Sequence, residues 1–413
     1  MTLRALDQQC RNCGATAAAA AEAICGTCLG PLGPVWASRR ALPGRATLEA
    51  RPHSLWRYRE WLPFEGEPEI STDIGWTPLV ESPTLAARLG LGHCWLKLDS
   101  HSFPSLSFKD RVVATALNAA RALGLTTVGC ASTGNLANAV AAQAARAGLP
   151  AWVFIPADLE RGKVAATAVH GARLVRVTGT YDDVNRLCAQ VADHFGWGVV
   201  NVNLRGYYGE GSKTMAFEIA EQLGWRVPDA VVAPMAGGSL VTKLDLGFAE
   251  FREAGLVAGA RPKVFGAQAA GCAPIVRLYE RGEGSLIPEV PNTIARSIAI
   301  GNPADGPRAA RVLRESGGAG VAVSDAELVD GILLLAETAG VFTETAGGVT
   351  VAAARRLAQD GRLGPDDDVV LCITGNGLKT VEALASVLPD PAPIPARLGA
   401  VAALVDHVTP QEV

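Results

Sequence analysis

Short apolar runs alternate with Ala-rich stretches along the chain from about Thr77 onward. The runs are rich in β-branched residues and have the length of buried strands, whereas the stretches between them have the length of helices. This alternation is typical of an α/β protein with a mostly parallel sheet that is buried on both faces. The predicted strands cover 94–98, 152–155, 174–177, 199–202, 230–233, 264–267 and 369–373.

The predicted helices cover 112–123, 136–147, 182–194 and 214–223. Three of them are followed by Gly124, Gly148 or Gly224, a residue suited to the left-handed position that ends a helix. Ser324 and Glu327 have the spacing of a capping box at the start of another helix. Ligands of such proteins bind at the carboxyl ends of the strands, so the loops that follow the strands are where we expect chemistry.

The spacing of prolines and cysteines suggests four segments. A small cysteine-rich unit and a Pro- and Gly-rich linker occupy 1–45, and two α/β subdomains follow at 46–212 and 213–388. A tail with four closely spaced prolines occupies 389–413. We assign no chemistry to the tail.

Composition narrows the classes of partner. The chain has 413 residues, is 49% hydrophobic and 19% charged, and carries a net charge of -4. No run of Lys and Arg offers a surface for nucleic acid, and no stretch of about 18 apolar residues predicts a membrane span. The charged start of the chain, with Arg4, Asp7 and Arg11, does not resemble a signal peptide. We therefore expect a cytoplasmic protein that binds small molecules, not nucleic acid or membrane.

Four cysteines form two CxxC pairs separated by eleven residues: Cys10 with Cys13, and Cys25 with Cys28. Four thiolates at this spacing make a closed tetrahedral zinc site, which is structural because it leaves no position for a substrate. Two disulfides are the alternative, which a reducing compartment disfavours. The other five cysteines, scattered among apolar residues, are interpreted as small core residues.

Lys109 lies in the segment SFKDR, between a strand with its loop and a helix. A lysine at such an edge is partly shielded from water, which favours the free amine that forms an imine with an aldehyde cofactor. Taken alone, a surface lysine beside a helix-capping charge pair is the better interpretation, so the other segments must support the assignment.

The segment ASTGN opens the helix that is predicted from residue 136. Ser132 and Thr133, with the free N–H groups of the helix start, would bind a substrate carboxylate, and Asn135 would bond a cofactor hydroxyl. The alternative is an ordinary helix cap.

A glycine-rich loop follows the strand at 230–233. It consists of Ala236, Gly237, Gly238, Ser239 and Leu240. Glycines let the backbone approach a phosphate, and Ser239 adds a hydroxyl. The loop lacks the lysine of nucleotide hydrolases and the full dinucleotide fingerprint, so a plain turn is the alternative.

Thr374 follows the strand at 369–373 in the segment TGNGLK. Its hydroxyl would form a hydrogen bond with a ring nitrogen and leave that nitrogen unprotonated. The alternative is an ordinary Asn-Gly turn. Together the four segments supply an amine, a carboxylate site, a phosphate loop and a ring-nitrogen partner. These are the requirements of pyridoxal phosphate with an amino-acid substrate.

With these segments in this order, the chain resembles the threonine synthase family of fold type II pyridoxal-phosphate enzymes. The likeness runs from the cysteine-rich unit to about residue 387. It rests on SFKDR, ASTGN, NVNLRGYYGEGSKT (201–214), IGNPADGP (300–307), TETAGGVTVA (343–352) and TGNGLK. The cysteine-rich unit is similar to the zinc ribbon of a subgroup of this family.

The resemblance implies a fold with the cofactor in a cleft between two parallel-sheet subdomains, and a homodimer. Lys109 would hold the cofactor as a Schiff base in the first subdomain, Asn135 would contact its 3-hydroxyl, and Thr374 would face the pyridine nitrogen. The loop 236–240 would hold its phosphate in the second subdomain. Ser132 and Thr133 would bind the substrate carboxylate.

The implied reaction converts O-phospho-L-homoserine and water into L-threonine and phosphate. Arg205, Lys213 and Lys163 are the basic residues nearest the matched segments, and the fork of Arg205 suits a substrate phosphate best. Many relatives read NxPTLSFKD before the lysine, whereas this chain has Ser102 in place of the amide and Ser105 in place of the threonine. Ser105 keeps a hydroxyl for the substrate.

Two further functions stay open. Only the first follows from the departure at Ser102 and from the apolar Leu240 where relatives often place an amide, because these changes affect the substrate and leave the cofactor chemistry intact. One is a related lyase or replacement enzyme, such as a serine or threonine dehydratase or an enzyme similar to cysteate synthase. The other, from a different class, is a zinc-ribbon interaction protein on an inactive enzyme scaffold.

Overall fold

The computed structural model describes residues 1–3, 7–11, 13–28, 30–35, 42–132, 134–157, 161–179 and 181–405. Contacts divide the chain into two compact units, Met1–Thr380 and Val381–Val413. The first unit contains every β-strand of the described residues and all the predicted site residues that the structure describes. The second contains a short 3₁₀ helix and one α-helix.

The strands are β1 (Thr2–Leu3), β2 (Asp7–Cys10), β3 (Thr16–Ala18), β4 (Leu32–Pro34), β5 (Phe64–Glu65), β6 (Leu79–Glu81), β7 (His93–Leu98), β8 (Val128–Ala131), β9 (Ala151–Pro156), β10 (Arg173–Val177), β11 (Gly198–Val199), β12 (Ala230–Pro234), β13 (Lys263–Ala269), β14 (Gly320–Val323) and β15 (Asp368–Ile373).

The α-helices are α1 (Arg45–Glu49), α2 (Pro83–Leu89), α3 (Lys109–Ala122), α4 (Asn135–Arg146), α5 (Arg161–Ala168), α6 (Tyr181–Phe195), α7 (Arg205–Gln222), α8 (Ser239–Glu253), α9 (Pro274–Arg281), α10 (Gly306–Glu315), α11 (Asp325–Ala339), α12 (Thr345–Gln359) and α13 (Leu398–Val405). The 3₁₀ helices are Leu55–Trp61, Asp99–His101, Arg296–Ile298, Gly377–Lys379 and Val381–Leu384. Among the described helices, none is both long and apolar enough to cross a membrane.

Two parallel sheets form the body of the first unit. The larger has the order β14-β13-β12-β15-β7-β6 and is parallel except for the antiparallel edge strand β6. The smaller has the order β10-β9-β8-β11 and is parallel throughout. Strands β8, β12 and β15 are buried along all or nearly all their length, as strands covered on both faces should be. The predicted α/β fold is confirmed.

The chain enters the larger sheet, leaves it for the smaller one and then returns. Strands β6 and β7 lie within the first predicted subdomain, yet β7 pairs with β15 from the second. A single cut in the sequence therefore does not separate the two sheets. The subdomain limits at residues 46, 212 and 388 stay predictions.

Helix α7 begins nine residues before the predicted start at residue 214. Its glycine-rich first half has low intrinsic helix propensity, which hides it in the sequence. Close packing explains the glycines, because a Cβ on Gly211 would lie 2.6 Å from the backbone oxygen of Arg111 in α3. Tertiary contact thus overrides local preference here.

The predicted strand at 199–202 ends at Val199 in the structure, and two asparagine side chains that follow it accept from backbone N–H groups of β11 and β8. Asn203 Oδ1 accepts from the N–H of Val199 at 2.8 Å, and Asn201 Oδ1 accepts from the N–H of Ala131 at 3.1 Å. The predicted capping box at Ser324 and Glu327 is confirmed at the start of α11.

Candidate functional site

Lys109 is the first residue of α3, and the loop before it is bonded to the loop that follows β15. The N–H of Phe108 donates to the carbonyl of Thr374 at 2.8 Å, and the N–H of Asn376 donates to the carbonyl of Leu106 at 3.1 Å. These two bonds bring the predicted ring-nitrogen partner beside the predicted Schiff-base lysine at the carboxyl end of the larger sheet.

Lys109 is half-buried, and its amine nitrogen lies 3.0 Å from the hydroxyl oxygen of Tyr208. Lys97, Lys213 and Lys243 are buried too, but each is held by a carboxylate within hydrogen-bonding distance. Lys109 therefore differs from these three lysines in having a neutral partner, which leaves its amine accessible for chemistry.

Glu344 connects Asn135 to the loop that follows β15. The Nδ2 atom of Asn135 donates to both carboxylate oxygens of Glu344 at 2.9 Å, and the N–H of Glu344 donates to the carbonyl of Gly375 at 3.1 Å. Gly375 also forms a β-bridge with Ser107. Three of the four predicted segments, those of Lys109, Asn135 and Thr374, are thus connected.

Helix α4 begins at Asn135 without a side-chain cap on its first N–H groups. The Ser132 hydroxyl oxygen accepts from the N–H of Gly134 at 3.3 Å, so its own O–H remains a donor. Uncapped N–H groups and a hydroxyl are what a carboxylate needs. Thr133, the other residue predicted there, lies outside the described residues.

The predicted phosphate loop has the backbone of an anion site. Gly238 takes a left-handed conformation with φ of 89° and precedes α8, which has no side-chain cap. The Cβ position of Gly237 opens on empty space, so the backbone is approachable. The side chain of Leu240 is buried in the core, and only its N–H is available. These features fit a phosphate at the start of α8.

Arg205 lies at the start of α7 and forms an ion pair with Asp305, with Nη2 and Oδ2 2.7 Å apart. The N–H of Asp305 in turn donates to the carbonyl of Gly237 in the phosphate loop at 3.1 Å. Lys213, the second basic residue weighed from the sequence, is fully buried between carboxylates and does not face solvent. The backbone of Lys163 lies in α5, and its side chain lies outside the described residues.

Hydrogen bonds to Asp110 hold the loop before Lys109. The carboxylate of Asp110 accepts from the N–H of Ser105 at 3.0 Å and from Nε2 of Gln143 at 3.2 Å. Burial raises the pKa of Asp110 to about 6, although these hydrogen bonds and the charge of Lys379 act to lower it. The hydroxyl of Ser105 lies 3.3 Å from that of Ser107, within the lysine segment.

The four N-terminal cysteines come together in a small three-stranded sheet of order β3-β2-β4. Their Sγ atoms all lie within 4.8 Å of one another, with Cys10 and Cys28 3.4 Å apart and Cys13 and Cys25 3.8 Å apart. A tetrahedral ion with bonds of about 2.3 Å requires sulfurs about 3.8 Å apart. The four thiols are free, and their separations suit a tetrahedral metal ion.

This cysteine unit packs against the first turn of α7. The hydroxyl of Tyr207 donates to the carbonyl of Ala20 at 3.1 Å, and a Cβ on Gly206 would lie 3.4 Å from the side chain of Gln8. Tyr208, the residue that contacts Lys109, follows directly.

Tyr208 and Glu344 contact predicted site residues, yet the sequence did not single them out. Both lie in segments that carry the family resemblance, NVNLRGYYGEGSKT and TETAGGVTVA. They are 99 and 209 positions from Lys109 and Asn135, respectively. The segments marked them as candidates, but only the fold shows which side chains meet.

Comparison with known sequences identifies the family and its named relatives. The family described as pyridoxal-phosphate dependent enzymes matches residues 70–375. The threonine synthase of Methanosarcina acetivorans is 37% identical over 354 residues, which are 84% of this chain and 85% of that protein. The threonine synthase of Mycobacterium tuberculosis is 34% identical over 86% of this chain and 96% of that protein.

Solved structures agree on the fold. The chain superposes on maize serine racemase with a TM-score of 0.62 at 20% identity, covering 81% of this chain and 95% of the other. It superposes on an L-serine ammonia-lyase from Rhizomucor miehei with a TM-score of 0.64 at 22% identity, covering 76% and 97%. The fold is that of the fold type II enzymes, as the sequence predicted.

Proposed function

The chain belongs to the family of pyridoxal-phosphate dependent enzymes, and from that premise we propose that it is a threonine synthase that converts O-phospho-L-homoserine and water into L-threonine and phosphate. The observation that carries the proposal is the meeting of Lys109, Asn135 and Thr374 at one end of the larger sheet. The choice of substrate is supported by the relatives, which are named threonine synthases and match most of this chain.

The cofactor would be held at four points. Lys109 would bond its aldehyde, Asn135 would contact its 3-hydroxyl, Thr374 would face its ring nitrogen, and the N–H groups of 236–240 would hold its phosphate. When bound, pyridoxal phosphate draws electrons away from the Cα atom of an amino acid. Glu344 would fix the amide of Asn135 in the required orientation, because both its oxygens accept from Nδ2.

The substrate would bind through its two anionic ends. Its carboxylate would lie at the start of α4 against Ser132 and Thr133, and Ser105 would contribute a hydroxyl from the lysine loop. Its phosphate would be met by Arg205, which adjoins the cofactor-phosphate loop through Asp305. Lys109 would take protons from the carbon atoms of the substrate as a base and return them later.

We expect the purified protein, reconstituted with pyridoxal phosphate, to release phosphate and L-threonine in equal amounts from O-phospho-L-homoserine. Phosphate is measured with a coupled colour assay and threonine by chromatography.

Arg205→Gln should raise KM by about tenfold or more and leave kcat nearly unchanged, because a phosphate-binding fork contributes about 1.5–3 kcal/mol to binding.

Arg314→Gln is the control, since Arg314, near the end of α10, donates to the backbone carbonyls of Leu278 and Tyr279 in α9 and not to the site. Release of a keto acid from serine or threonine, with none of the phosphate chemistry, would replace the proposal by a dehydratase. Absence of the cofactor absorption band in reconstituted protein would favour the inactive scaffold instead.

We further propose that Cys10, Cys13, Cys25 and Cys28 hold a structural zinc ion, that the protein acts as a homodimer and that it is cytoplasmic. The zinc proposal rests on the sulfur separations, which match a tetrahedral ion.

Cys13→Ser should reduce bound zinc from about one ion per chain to nearly none, measured by elemental analysis after dialysis, because three thiolates leave the site open. The melting temperature should fall, since metal bound only to the folded chain stabilises it. Cys188→Ala is the matched control, a buried cysteine outside the cluster that should keep its zinc. Wild-type protein that carries no zinc when purified from zinc-supplemented cells would contradict the proposal.

A further inference from the structure

The hydroxyl of Tyr208 is the partner that the structure gives to the amine of Lys109, at 3.0 Å. Tyr208 is half-buried, as Lys109 is, so neither residue is closed off from solvent. The ring of Tyr208 also lies 5.7 Å from the amine. The phenol therefore lies against the one nitrogen that would react.

Helix α7 holds Tyr208 between the lysine and the phosphate loop. The Cβ position of the next residue, Gly209, lies 3.2 Å from Cε of Lys243 and 3.8 Å from Oγ of Ser239, both on α8. On the other side, Tyr207 is bonded to the cysteine unit. The close approach of Gly209 to α8 fixes the turn of α7 that presents the phenol.

Two carboxylates in the segments around Lys109 and Asn135 already accept hydrogen bonds from other side chains or backbone groups. Asp110 accepts from Ser105 and Gln143, and Glu344 accepts from Asn135. A phenol both donates and accepts a hydrogen bond, which is what a group needs in order to pass a proton on.

We propose that Tyr208 is a catalytic residue that relays a proton between Lys109 Nζ and the leaving oxygen of the substrate; this rests on the proposed function. Lys109 takes a proton from a substrate carbon, and the electron pair of that C–H bond stays on the substrate. As the carbon–oxygen bond breaks and its pair leaves with the oxygen, the phenol proton moves to that oxygen. The phenolate then recovers a proton from the Lys109 ammonium.

The net result is one proton moved from carbon to the leaving group, with Lys109 and Tyr208 restored. The same phenol would act as the acid when Lys109 Nζ becomes attached to the cofactor aldehyde, because that attachment releases water and the departing oxygen needs a proton. The second role gives a readout that does not depend on the identity of the substrate.

Tyr208→Phe tests the relay in protein saturated with pyridoxal phosphate. Phosphate release from O-phospho-L-homoserine should fall by about 10²-fold or more, the usual contribution of a positioned acid, while exchange of the carbon-bound protons into D₂O should change by less than about threefold. Exchange, followed by NMR, reports the step of Lys109, and phosphate release reports the step of Tyr208.

The second measurement is the rate at which the apoprotein bonds added cofactor, followed by stopped-flow absorbance. It should slow by about tenfold in Tyr208→Phe. Tyr207→Phe is the matched control, one position earlier on α7 with its hydroxyl on Ala20, and should stay within about threefold of wild type in both assays.

A wild-type rate of cofactor bonding in Tyr208→Phe overturns the relay, as does a joint fall of exchange and phosphate release. If wild-type protein itself releases no phosphate, the proposed substrate is wrong, and the rate of cofactor bonding still decides the role of Tyr208.

Discussion

Lys109→Ala should abolish the covalent attachment of pyridoxal phosphate. It should also lower turnover of O-phospho-L-homoserine by about 10⁴-fold or more, which is the usual loss when an enzyme lacks the group that performs its chemistry. The amine nitrogen of Lys109, at the start of α3, would bond the aldehyde and act as the base. Borohydride reduction, proteolysis and mass spectrometry should find the reduced cofactor on the peptide with residue 109 in wild type and nowhere in the variant.

Lys263→Ala is the matched control, because Lys263 lies at the start of β13, away from the site. Label and activity should both remain in that variant. A label that moves to another lysine with activity intact would show that the Schiff base forms elsewhere. Lys243 and Lys379 are the lysines to inspect in that case.

The strand and helix pattern predicted the fold well because the parallel sheets leave a direct trace in the sequence. A buried parallel strand such as β15 must be apolar on both faces, so it appears as a continuous run. Helix α7 is the exception. Its glycines lower the local propensity and are explained only by the approach of Gly211 to α3.

The site residues were predicted where a loop carries its own chemical signature. Lys109 and Thr374 follow β7 and β15 of the larger sheet, whose parallel strands bring their loops to one edge. Asn135 follows β8 of the smaller sheet and reaches them through Glu344. Side-chain pairs between distant segments leave no such trace. Neither the contact of Tyr208 with Lys109 nor the ion pair that occupies Arg205 follows from spacing along the chain.

Arg111→Met should lower the free energy of unfolding by about 3–5 kcal/mol, the usual cost of removing one partner from a buried ionic group. Arg111 is fully buried two residues after Lys109 and bonds both Asp99 and Glu218. Lys97 completes the cluster at 2.7 Å from Glu218. Two positive and two negative charges balance, so the variant leaves one buried negative charge without a partner. We expect its urea midpoint, followed by tryptophan fluorescence, to fall accordingly.

Two comparisons separate lost charge balance from lost volume. Adding Glu218→Gln to Arg111→Met restores neutrality and should recover part of the stability, whereas Arg121→Met, at the exposed end of α3, should change it by less than about 0.5 kcal/mol. In wild type, burial acts to raise the pKa of Glu218, but Arg111 and Lys97 hold it at about 2.

Without Arg111, burial should raise that pKa above the ordinary value of a carboxyl, so the folded variant binds more protons than the unfolded chain and its stability falls as pH rises. The difference in unfolding free energy between wild type and Arg111→Met should therefore be smaller at about pH 5 than at about pH 8. An equal loss at both values, with no recovery in the double variant, would mean that packing and not charge holds the start of α3.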